Sequence, residues 1–126
     1  MAAGTLDWLD FEFSDDAQGH GSFDAMASVA PAQWPALQAE LARVLDWAHR
    51  EFGGARAPLD AGGEWDFELQ GVQEVPTPLD VGYDEGAGRV TLQPGTPGAA
   101  RITLSVTLSG TPAFCDAFRR AFGLDG

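Results

Sequence analysis

A chain of 126 residues with 44% apolar side chains, four Trp and eight Phe is sized for one domain, residues 1–126, and is too hydrophobic to stay disordered despite a net charge of -12. That charge opposes nucleic acid, whose binding rests on phosphate neutralisation, and anionic lipid surfaces; no apolar run approaches the ~20 residues that span a bilayer. All seven basic residues are Arg, which removes the Walker A lysine, Schiff-base chemistry and any Ser-Lys pair, and the single Cys115 permits no intrachain disulfide.

The N-terminus has neither a basic region nor an apolar leader, so the expected location is cytoplasmic. From Thr5 to Ser14 the pattern alternates imperfectly, with Leu9, Phe11 and Phe13 on one side and Leu6, Trp8, Asp10 and Glu12 on the other. This predicts a first strand. A polar turn through Asp15, Asp16, Gln18 and Gly19 leads to a second strand, where Phe23, Ala25, Ala27 and Val29 alternate with Asp24, Met26 and Ser28.

The longest periodic segment, Ala32 to Phe52, predicts a helix with Trp34, Leu37, Leu41, Val44, Leu45, Ala48 and Phe52 on one stripe. It starts at Ala32 or Pro35 and ends before Gly53 and Gly54. Glu64 to Val72 alternates cleanly, with Trp65, Phe67 and Leu69 against Glu64, Asp66, Glu68 and Gln70. Leu79, Val81 and Tyr83 alternate again before a Gly-rich turn into Arg89 to Gln93, a second hairpin. Arg101 to Ser109 is a β-branched strand. Thr111 as N-cap, Pro112 at the first position and Gly123 after the end bound a short helix carrying Phe114, Phe118 and Phe122.

The order β-β-α-β-β-β-β-α leads to an α+β fold: a single antiparallel sheet of five to six strands with two helices packed on one face. The opposite face is then open or covered by another protein.

No catalytic or cofactor motif stands out. His20 lies among Asp15, Asp16 and Asp24, yet the chain has one Cys and two His, too few for a structural zinc site, and the EF-hand spacing is missing, so no metal is expected. His49 and Cys115 resemble a thiol-imidazole pair only by residue type; Cys115 flanks the apolar stripe of its helix, which favours packing. Glu64 with Glu68, or Asp66 with Glu68, looks like any solvated strand face. No cofactor is expected.

The acids are distributed unevenly, for residues 1–42 hold seven Asp or Glu and no Arg. With Trp8, Asp10, Glu12, Asp66 and Glu68 pointing away from the helices, the expected function is a non-catalytic protein-protein interaction module. Its partner is a basic protein or a second copy of the chain in a homodimer. One alternative is an inhibitor or immunity-type protein covering a basic enzyme; another is a small hydrolase or isomerase using carboxylates and His20. If strand one slips, Trp8 joins the core instead.

Overall fold

A computed structural model describes residues 4–16 and 19–124. Its elements are β1 (Glu12–Asp15), β2 (Gly21–Val29), α1 (Trp34–Glu51), β3 (Trp65–Glu74), β4 (Leu79–Asp84), β5 (Arg89–Pro94), β6 (Arg101–Gly110) and α2 (Pro112–Phe122). The order matches the one read from periodicity. Met1 to Ala3 and Gln18 of the expected turn lie outside the described residues.

The strands form two sheets, not one. A four-stranded antiparallel sheet has the order β1-β2-β6-β3, and β4 with β5 forms a separate two-stranded sheet. The reason is topological: β3 and β6 pair directly, from Trp65 opposite Gly110 to Glu74 opposite Arg101. No slot remains between them for the intervening residues. Pro76, Pro78, Pro94 and Pro97 also lack the amide donors that a central strand needs. The segment therefore leaves the end of the β3–β6 pair as a ribbon, joined by bonds from the Gly98 amide to the Pro76 carbonyl (2.7 Å) and from the Gly95 amide to the Pro78 carbonyl (2.8 Å).

Alternation of side chains sorts the four-stranded sheet into two chemically distinct faces. Phe23, Ala25 and Ala27 of β2 stand opposite Leu108, Val106 and Leu104 of β6, and these residues share a buried cluster with Leu37, Val44 and Trp47 of α1 and Phe114 and Phe118 of α2. Trp47 links α1 to α2, with ring centroids 6.0 Å from Phe114, 5.8 Å from Phe118 and 5.6 Å from Phe122. Trp65 stacks on Phe114 at 5.6 Å and donates its indole N–H to the Phe52 carbonyl at 3.2 Å. The buried aromatics thus tie the long helix, the short helix and the β3 entry together.

Helix ends follow local chemistry. Thr111 Oγ1 accepts from the Phe114 amide at 3.5 Å, and Gly123 adopts φ 64, the left-handed conformation that closes a helix. A 3₁₀ turn at Pro31–Gln33 precedes α1, and Trp34 enters it with φ -56 and ψ -42 despite the following proline.

The first strand is shorter than its sequence pattern. Only Glu12–Asp15 pairs with β2, because residues 7–9 give their amides to Glu40. The Glu40 carboxylate accepts from Asp7 N at 2.6 Å, Trp8 N at 2.9 Å and Leu9 N at 2.7 Å. An amide engaged this way cannot also enter a strand ladder. Arg43 adds a bond from its guanidinium to the Thr5 carbonyl. Leu9 is buried, while Leu6, Trp8 and Phe11 pack partly buried against the core.

Candidate interaction surface

The second face of the four-stranded sheet carries Glu12, Asp66 and Glu68 of the residues expected to bind, and its layout follows from strand register. Residues directly opposite in antiparallel pairs share a face. Glu12 stands opposite Asp24, Asp24 opposite Thr107, and Thr107 opposite Glu68. One row of three carboxylates and one hydroxyl thus crosses all four strands. The next row is Met26, Ser105 and Gln70, and the one after it Ser28, Thr103 and Val72.

Glu12 opposite Asp24 is a like-charge cross-strand pair, an arrangement that destabilises a sheet by a few tenths of a kcal/mol or more. Thr107 donates its hydroxyl to Asp24 Oδ1 at 2.6 Å, which satisfies part of that carboxylate. Arg101 is a cation on this face, bonding Ser28 Oγ at 3.0 Å and the Ser28 carbonyl at 2.7 Å. Two shallow depressions of about 410 Å³ each flank β6, one lined by Asp10, Glu12, Asp24 and Met26, the other by Glu68 and Gln70, with Ser105 and Thr107 shared by both.

The five residues singled out from sequence do not all meet. Glu12 and Glu68 occupy the acidic row, and Asp10 lies just before β1 at the rim of the first depression. Asp66 starts the same face of β3, but Arg56 Nε donates to its Oδ1 at 3.2 Å while the same guanidinium lies 4.6 Å from the Phe67 ring centroid. Asp66 is already partnered within the chain. Trp8 is absent from the face altogether, since Glu40 holds its backbone and its ring packs against the core. Sequence reasoning missed Asp24, which alternation had placed correctly but which only the β1–β2 register brings beside Glu12. Glu64 lies outside β3, its carbonyl accepting from the Thr111 amide at 2.9 Å.

The histidines serve locally. His20 Nδ1 is 3.6 Å from Asp16 Oδ2, and the His20 amide donates to Asp16 Oδ1 at 2.9 Å, closing the turn between β1 and β2. His49 Nδ1 lies 2.9 Å from the Leu45 carbonyl, and its ring meets Trp65 edge-on at 5.0 Å. Among the described residues no hydrogen bond joins His49 to Cys115, and no group of three or more His, Cys, Asp or Glu could hold a metal ion.

Cys115 is buried, with its thiol donating to the Gly110 carbonyl at 3.6 Å, and burial raises its pKa above the ordinary thiol range. Native protein should therefore react with a thiol reagent about a hundredfold more slowly than denatured protein at neutral pH. Because the folded pKa is raised, the thiol's contribution to stability is complete below the unfolded value and is lost as pH rises through the folded one. Comparable labelling rates in the native and denatured states would contradict a packed, neutral thiol.

No helix among the described residues is long and apolar enough to cross a membrane. Comparison with protein-family models, curated proteins and solved structures finds no match, so the functional reading rests on the chemistry of this surface.

Proposed function

We propose that this chain is a non-catalytic, cytoplasmic protein-protein interaction module that receives a basic partner on the acidic face of its four-stranded sheet. The reading takes α1 and α2 to cover one face and leaves the other for the partner. The row Glu12, Asp24, Thr107 and Glu68 carries the proposal. Placing Glu12 against Asp24 weakens the sheet, and an Arg or Lys laid across the row would turn that repulsion into attraction. Hydroxyls of Ser105 and Thr107 supply hydrogen bonds around the charges, and the shallow relief suits a broad contact better than the enclosed site that small-molecule chemistry needs.

An oligo-arginine peptide tests the assignment. Amide chemical shifts should move at residues 12, 24, 68 and 107 ahead of Asp46 and Glu51, the control acids on α1. Exchanging Glu12→Gln together with Glu68→Gln should slow association about tenfold at low ionic strength and flatten its salt dependence. Shifts spread evenly over all the acids, or a double variant that binds like the parent, would reduce the charge to a solubilising role.

A further inference from the structure

The ribbon of β4 and β5 has an exposed apolar face. Leu79, Val81 and Tyr83 stand opposite Pro94, Leu92 and Val90, so all six share one side, while Asp80, Asp84 and Arg89 share the other. From residue 68 to residue 99 every residue except Gly82 is exposed. Tyr83 is 70% exposed, Val81 and Val90 64%, Leu92 59% and Leu79 55%. The ribbon therefore projects from the sheet with both faces in solvent. A two-stranded ribbon alone is marginally stable in water, and one with a continuous apolar side lacks the layer that would hold it.

We infer that this arm is a self-association device: the apolar faces of two arms from two copies of the chain stack on each other around a two-fold axis. Three observations select a second copy. The five large side chains expose on the order of 500 Å² of apolar surface, most of the ~800 Å² that each partner contributes to a standard interface. The face bears no charged side chain, so it is self-complementary as an isologous contact requires, and the arm's acids lie on the far side. The arm is also long. From residue 75 to the turn at Gly86 it reaches roughly 35 Å at strand rise. Stacked antiparallel, two arms keep two chains of net charge -12 at opposite ends, several screening lengths of ~8 Å apart. This surface is separate from the acidic row, and each assignment stands or falls without the other.

Sedimentation velocity over a range of concentrations reads the association directly. The parent protein should change from monomer to dimer, and added salt should favour the dimer, because screening relieves repulsion between like-charged bodies while leaving apolar contact intact. Leu92→Glu should raise the dimer dissociation constant by about a hundredfold or more, since the symmetry buries the new charge twice. Thr91→Glu, on the opposite side of the arm, should leave it near the parent value. Hydrogen exchange on the unmodified protein guards against a variant that merely unravels the arm: protection of residues 79–94 should rise with protein concentration. A parent that stays monomeric at all concentrations and salt levels overturns the inference. So does a dimer that survives Leu92→Glu or gains protection along β3 instead, and so does a monomer whose arm partitions onto neutral lipid vesicles.

Discussion

Replacing Phe118 by alanine should remove about 4 kcal/mol of stability, through lost transfer energy and an unfilled cavity, and should lower Tm by roughly 12–20 °C. Phe118 has no exposed surface and meets five rings: Phe23 at 4.7 Å, Phe122 at 5.2 Å, Phe11 at 5.3 Å, Trp47 at 5.8 Å and Phe114 at 6.0 Å. These neighbours come from α1, α2, β2 and the segment before β1. Four parts of the chain therefore lose contact at once, and Phe23, Trp47, Phe114 and Phe122 cannot move into the gap without leaving their other ring partners. Phe118→Leu keeps much of the volume and should cost about 1.5 kcal/mol. Chemical denaturation with an unchanged m-value measures both. An unshifted midpoint for the alanine variant would make α2 peripheral.

The sequence disclosed this core unevenly, for reasons that lie in its periodicities. Strict alternation in β2 and β6 placed Phe23, Ala25, Leu104 and Val106 on the inner face, because a period of two admits one assignment once a single residue is known to be buried. Thr111, Pro112 and Gly123 marked α2 through chemistry local to each end. Trp47 escaped notice because the 100° projection puts it outside the α1 stripe, between Val44 and Arg43, yet a long aromatic reaches sideways to α2 from there. Element order followed from the pattern, but partner choice did not. Nothing in the alternation of Leu79, Val81 and Tyr83 says whether they face a core or solvent, and the direct β3–β6 pairing that decides the matter is a contact between residues far apart in sequence.

The same limit applies to the candidate surface. Glu12 and Glu68 were legible as solvent-facing acids from alternation alone, whereas their place in one row with Asp24 and Thr107 depends on three registers. Arg56 could not be foreseen as the partner of Asp66, since it reaches across from the loop after α1. The acidic row and the apolar arm differ in how salt acts on them. On the two proposals, screening should weaken the attraction of a basic peptide to the row and should strengthen contact between two arms by muting repulsion between their bodies. Opposite salt responses would separate the two surfaces in one preparation.

Glu40 accounts for the largest departure from the sequence pattern, and its removal should have the second largest effect. It is 4% exposed, the one buried charged residue among the described residues, and its two oxygens accept three backbone amides. Period-two alternation over residues 5–10 is real, but a carboxylate on α1 offers these amides shorter bonds than a sheet edge, and the segment runs over the helix instead of along β2. Glu40→Ala should cost about 3 kcal/mol, because it leaves three donors without acceptors, of which only those near the surface regain water. Glu40→Gln separates hydrogen bonding from volume. Its amide oxygen in the Oε2 position still accepts from Trp8 and Leu9, while its NH₂ confronts the Asp7 N–H, so a cost of about 1–2 kcal/mol is expected. Hydrogen exchange gives the site-resolved check: the amides of Asp7, Trp8 and Leu9 should lose protection in the alanine variant, and only Asp7 should do so in the glutamine variant. If all three amides exchange in both variants as they do in the parent, the carboxylate is not their anchor, and another contact must hold the segment off the β2 edge.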